Sequence, residues 1–155
     1  DCEVGLESTI VGLEEGEVTV YRLGGLDLNA IREVVGEVKV MTHSSSNPKS
    51  PGMLKSHYSP TKPFILGKLE DLVLEYSKKG IPFAILSFYQ KFPSLDQSKQ
   101  IHLSQTKHLN EAAKNLFAAM RALDTMDVSV ILSELLPEEG LGRAINDRLR
   151  RAAVQ

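Results

Sequence analysis

An α/β fold with a mostly parallel, doubly wound sheet is predicted for the larger part of this chain, on three observations. From residue 63 onward, β-prone runs alternate with amphipathic helical runs, and strand–helix–strand order implies parallel strands joined by crossovers. The run from Phe83 to Phe88 is apolar without alternation, as a strand covered on both faces must be. Residues before 63 hold a β-prone pair, one short helix and then a stretch rich in Ser, Pro and Gly. The expected organisation is a Rossmann-like, three-layer domain over residues 63–155, a linker over 42–62, and strands of another sheet over 1–41.

Taken in order, Val4, Leu6, Thr9, Ile10, Val11 and Leu13 form a β-prone stretch. Glu14 to Glu17 reads as a turn and Val18 to Arg22 as a second strand. Leu28, Ala30, Ile31, Val34 and Val35 have helical spacing, with Asp27 as candidate N-cap and Gly36 as stop signal. Two strands alone bury too little to be stable in water. The chain is therefore expected to be cut from a larger protein, and residues 1–41 to be disordered or to pair with a second copy in a homodimer.

In the linker, His57 and Tyr58 stand between Pro51-Gly52 and Pro60. A passive linker has no need of a stacking, hydrogen-bonding pair stiffened by prolines, so the segment is expected to touch a ligand. Phe64 to Leu66 then reads as a strand. Leu69, Leu72, Val73 and Tyr76 line a helix that stops at Lys78-Lys79-Gly80, with cations at the negative end of its dipole and Gly beyond. Residues 89–99 are a polar loop, and Gln100 to Leu103 a short strand. The longest helix runs from His108 to Met126 on a stripe of Leu109, Ala112, Ala113, Leu116, Phe117, Met120 and Leu123. Val128 to Leu132 is the last strand, and a helix after Gly140 carries Ala144, Ile145, Leu149 and Ala152.

Composition narrows the function classes. The 155 residues are 42% hydrophobic with a formal net charge of −2, enough for one good core. Residues 1–62 carry six Lys/Arg against nine Asp/Glu, and residues 63–155 twelve against eleven, so neither part is the polycation that a broad nucleic-acid-binding face requires. No apolar run approaches the length of a membrane span, and a secretory signal is not expected from the acidic first residues. The single cysteine, Cys2, forms no internal disulfide and fits a reducing cytoplasm.

Individual residues say less by themselves. Read alone, Ser8 is a strand hydroxyl, Arg22 a strand-end cation and Glu7 a surface or paired charge. Gly24-Gly25 is a turn too short to cradle a phosphate. His43, His102 and His108 share no metal-ligand spacing, and no metal site is expected. Arg143, Arg148, Arg150 and Arg151 read as a solvated helix face, and Leu141-Gly142 offers only weak anion-binding geometry.

Three segments in sequence resemble the two-domain threonylcarbamoyl-AMP synthases. Val4-Gly5-Leu6-Glu7-Ser8-Thr9-Ile10-Val11, followed by Tyr21-Arg22-Leu23-Gly24-Gly25, is similar to the closing strands of the YrdC-like catalytic domain. Ser50 to Pro60, with His57 and Tyr58, is similar to the interdomain linker. Glu139-Gly140-Leu141-Gly142-Arg143-Ala144-Ile145-Asn146-Asp147-Arg148-Leu149 is similar to the end of the C-terminal domain. The resemblance implies that residues 1–41 are the end of a YrdC-like domain. It also implies a reaction joining L-threonine, bicarbonate and ATP into threonylcarbamoyl-AMP and pyrophosphate, with Mg2+ not held by this chain. Downstream proteins then move the threonylcarbamoyl group to tRNA, with tRNA contact as a further expectation.

By the same resemblance Ser8 contacts L-threonine, Arg22 contacts ATP, and His57 and Tyr58 close over the nucleotide; no catalytic residue is assigned. Leu54 and Ser56 stand where basic or aromatic residues are common, and Leu23 where Pro is common. The family's nucleotide-binding motif is absent from this sequence, so the chain alone is expected to be inactive. The other reading is a free-standing α/β module that binds a nucleotide or a partner without catalysis.

Overall fold

The computed structural model describes residues 5–41 and 60–153. Cys2, His43, His57 and Tyr58 lie outside the described residues.

Two sheets are present. The first holds β1 (Ile10–Glu14), β2 (Glu17–Arg22) and β3 (Lys39–Val40) in the order β1-β2-β3, with α1 (Leu28–Val35) between the last two strands. The β1–β2 hairpin closes through Glu15 and Gly16, both with positive φ (51° and 84°), the backbone of a tight two-residue turn. β3 lies parallel to β2, and Met41 N–H continues the ladder onto the Val20 carbonyl at 2.8 Å.

The second sheet is parallel throughout. It holds β4 (Phe64–Leu66), β5 (Phe83–Ser87), β6 (Gln100–His102) and β7 (Val130–Ser133) in the order β4-β7-β5-β6. α2 (Leu69–Lys79) crosses from β4 to β5, and α3 (Leu109–Asp124) from β6 to β7; α4 (Gly142–Ala152) follows β7. Strand periodicity divides the two faces. Ala84, Leu86 and Ile131 point into one cluster, which includes Leu116, Leu123, Ile145 and Leu149 of α3 and α4. Ile85, Val130 and Leu132 point into the other, with Leu69 and Leu72 of α2. The result is the three-layer, doubly wound α/β domain that the sequence predicts. The β5–β6 crossover departs from helical alternation: residues 88–99 span it with a single 3-10 turn at Gln97–Lys99.

Most boundaries fall close to expectation. α2 ends on Gly80 in the left-handed conformation, with Glu70 and Asp71 in its first turn and Lys78 and Lys79 in its last. Asp27 does occupy the N-cap position of α1, but its side chain makes no capping bond; the carboxylate turns instead to Arg143, 3.5 Å away.

Two expectations are corrected. Residues 5–41 form two strands, a helix and a short third strand that find cover within the chain itself. Leu6, 4% exposed, is part of the main core of the second sheet, and Leu23 packs against that core as well. Gly5 has a φ of 74° and lies so close to α3 that a Cβ there would sit 2.2 Å from Lys114 Cα. The main core thus supplies the burial that two strands by themselves lack. The second correction concerns the arginines of α4. Arg148 and Arg151 are 1% and 2% exposed. That part of the helix is not a solvated face: Arg148 meets the Glu7 and Asp147 carboxylates, and Arg151 meets Asp147.

Candidate functional site

Ser8 and Arg22, assigned on resemblance alone, meet in the fold. The Arg22 Nε–H donates to the Ser8 carbonyl at 2.9 Å, and Nη2 donates to the Ser8 hydroxyl at 3.0 Å. This two-point grip uses the planar fork of the guanidinium. The hydroxyl accepts from Arg22 and keeps its own proton for another acceptor. Ser8 is exposed and Arg22 half-buried, so both face solvent across a common edge.

The local backbone explains the meeting. Register along the hairpin slips between Ile10↔Arg22 and Val11↔Val20, leaving Tyr21 as the extra residue. Such a bulge re-aims the side chains beside it. Tyr21 is pushed up to about 12 by its hydrogen bond to Glu14, by burial and by the Glu14 charge, so it stays a neutral phenol beside the site.

Thr9 organises the opposite wall. Its hydroxyl donates to the Leu26 carbonyl at 2.9 Å and accepts from the N–H groups of Gly24 and Leu26 at 3.2 and 3.1 Å. The Gly25 N–H donates to the Glu7 carbonyl at 2.9 Å. Gly24 is pressed against this segment: a Cβ there would lie 2.2 Å from the Glu7 oxygen and 2.5 Å from the Ser8 carbonyl carbon. The Gly24-Gly25 doublet is therefore a close-approach element that shapes residues 7–9.

The Glu7 carboxylate accepts from Arg148 Nη2 at 2.8 Å. Arg148 Nη1 donates to Asp147 at 3.1 Å, and Arg151 Nε donates to the same Asp147 oxygen at 2.8 Å. Arg143 completes the set from the same helix, reaching Asn29 at 3.3 Å and Asp27 at 3.5 Å. Glu7 is thus a paired charge, one of the two readings its sequence context allowed. The roles of Thr9 and Arg148 carry no local sequence signal. Thr9 is one of several β-prone residues, and Arg148 lies 141 residues from its partner.

Other polar groups lie elsewhere. His102 Nδ1 sits 2.7 Å from the Ser87 hydroxyl, and burial, then the Lys91 charge, lowers its pKa. Among the described residues, no three His, Cys, Asp or Glu side chains gather as a metal site, and no helix is long and apolar enough to cross a membrane.

Comparison with known proteins agrees with this fold. Residues 26–154 match the family model described as threonylcarbamoyl-AMP synthase, C-terminal domain. A threonylcarbamoyl-AMP synthase of Pyrococcus abyssi is 33% identical over 99% of this chain and 47% of its own length. The chain thus spans about half the length of that relative. The crystal structure of P. abyssi Sua5 complexed with L-threonine superposes with a TM-score of 0.84 at 32% identity, over 97% of this chain and 46% of that one. A variant of the same protein, with an adjacent His–Tyr pair replaced by alanines, gives 0.81 at 29% identity, over 99% and 46%. The chain belongs to the threonylcarbamoyl-AMP synthase family and carries its C-terminal domain.

Proposed function

We propose that this chain is the C-terminal part of an L-threonylcarbamoyladenylate synthase, joining L-threonine, bicarbonate and ATP into threonylcarbamoyl-AMP and pyrophosphate for tRNA modification in the cytoplasm. Residues 1–41 are then the end of the YrdC-like catalytic domain, 42–62 the linker, and 63–155 the C-terminal domain. The observation that carries the reading is the Ser8–Arg22 pair, an exposed hydroxyl held by a half-buried guanidinium. The L-threonine bound in the superposed P. abyssi structure supports an amino-acid substrate.

In this reading the Ser8 O–H donates to the L-threonine carboxylate. Arg22 holds the Ser8 backbone through Nε and presents its remaining N–H groups to the ATP phosphates. Transfer of a nucleotidyl group demands little covalent chemistry from the protein; positioning and stabilisation of developing negative charge dominate. Mg2+ travels with the ATP phosphates as part of the substrate. His57 and Tyr58 close over the nucleotide. They form the sole His-Tyr pair in this sequence, and the alanine variant of the P. abyssi protein marks such a pair as a feature of that relative.

The test is calorimetric titration of ATP and L-threonine into the complete protein, its Arg22→Ala and Ser8→Ala variants, and this chain alone. One charge-assisted hydrogen bond contributes roughly 1.5–3 kcal/mol, so each variant should lose about tenfold or more in affinity for its own ligand. Variants with unchanged affinity for both ligands refute the assignment. ATP binding by this chain with the affinity of the complete protein favours the self-contained module instead, a reading that rests on the four-stranded sheet of residues 60–153 and the cluster on its α2 face.

A further inference from the structure

We infer that α4 of the C-terminal domain sets the position of the substrate-facing segment Glu7-Ser8-Thr9, with Arg148 as its positioning residue. The inference rests on the proposed role of Ser8 for its consequence in substrate binding, but its geometric part stands without that role.

Residues 5–7 are built into the C-terminal domain one after another. Gly5 lies against the α3 backbone, Leu6 is in the main core, and the Glu7 carboxylate meets Arg148, 1% exposed. Ser8 is the next residue, and it is exposed. Glu7 is also held at its carbonyl by the Gly25 N–H, so both its side chain and its backbone are fixed. Arg143, on the same helix, reaches Asp27 and Asn29 beyond the glycine loop. α4 therefore meets the chain on either side of Arg22 in sequence, at Glu7 and at Asp27 and Asn29.

Adhesion alone does not explain a charged grip. Buried ion pairs add little net stability over apolar residues of the same shape. What they add is direction: the guanidinium fork accepts only a narrow range of carboxylate positions. Asp147 is itself fixed by Arg151 through bonds of 2.8 and 3.2 Å, so Arg148 cannot swing without breaking two carboxylate contacts. A small rotation of Glu7 would carry the Ser8 hydroxyl out of the 3.0 Å contact with Arg22. The C-terminal domain thereby has a task in substrate binding that none of its own residues performs by contact with substrate.

The test uses Arg148→Lys and Glu7→Gln, which keep side-chain volume, and Ser8→Ala as reference. In this chain, the Arg22 Nε–H resonance reports the segment directly, because that group donates to the Ser8 carbonyl. Both positioning variants should shift it and speed its hydrogen exchange at least several-fold. An Arg22 resonance that stays in place, with unchanged exchange, overturns the inference whatever substrate Ser8 touches. In the complete protein, the same two variants should raise the KM for L-threonine about tenfold, with kcat within about twofold of the parent. A fall in kcat with the KM for L-threonine unchanged means α4 only holds the fold together, and also overturns it. If Ser8→Ala leaves the KM for L-threonine unchanged while the Arg22 resonance responds to Arg148→Lys, the assignment of Ser8 to L-threonine fails and the positioning by α4 stands.

Discussion

Replacing Gly24 with alanine tests how closely the glycine loop is pressed onto residues 7–9. The new Cβ would meet three backbone atoms at 2.2 to 2.5 Å: the Glu7 oxygen, the Ser8 carbonyl carbon and the Thr9 nitrogen. Backbone cannot swing aside as a side-chain end can, so the loop must lift. Lifting breaks the bond from Gly25 to Glu7 and the two N–H bonds to the Thr9 hydroxyl. At about 0.5–1.5 kcal/mol net for each hydrogen bond, the loss is about 3 kcal/mol. In a chain of this length that corresponds to a fall in Tm of about 6–12 °C, read by calorimetry or circular dichroism. Thr9→Val removes all three bonds of that hydroxyl without the clash, and should cost about as much. A Gly24→Ala protein melting within about 2 °C of the parent would refute the close approach and with it the account of how Ser8 is held.

Leu6→Ala should destabilise by about 2–5 kcal/mol in urea, the usual cost of emptying a buried leucine site, because Leu6 belongs to the main core; it should also expose residues 8–41 to protease sooner than 60–153. Glu111 is held down at about 2 by hydrogen bonds from Ser104 and Thr106. Its depressed folded pKa means stability present above the ordinary carboxyl range and lost as pH falls toward 2, so Glu111→Gln should flatten the acid limb of the stability profile there. Glu134 shifts the other way, raised by burial and then by the Glu70 charge against the pull of the Phe88 N–H. Its contribution is full below the ordinary carboxyl range and lost as pH rises through the raised value; Glu134→Gln keeps an acceptor for Phe88 and should lose less stability over that rise, in urea melts at successive pH values.

The second sheet was legible because its signals are local. Phe83 to Ser87 is apolar at every position but the last, and α3 carries its stripe at helical spacing, so burial and periodicity in the sequence report the same fact. β3 was not legible: two residues, Lys39 and Val40, are too few to show a period, and only the pairing with Thr19 and Val20 makes them a strand. The arginines of α4 misled for a related reason. Four arginines in nine residues look like a wetted face, and nothing within α4 except Asp147 announces that the remaining carboxylate comes from residue 7. The site was half legible. Motif resemblance found Ser8 and Arg22, which do touch, whereas Thr9 and Arg148 depend on contacts between segments far apart in the chain.

The distance between Glu7 and Arg148 along the chain, 141 residues, also orders events in time. Helical turns and the β1–β2 hairpin close small loops and form early, whereas a contact spanning most of the chain waits until its entropy of closure is offset by a core already in place. On the ribosome the wait is literal, because α4 emerges after every other described element. Ser8 and Arg22 are synthesised well before α4 and are locked only once it arrives. A chain interrupted before α4 would display its hairpin without the grip on Glu7, so the arrival of α4 is the event that turns residues 7–9 from a loose peptide into one wall of a site.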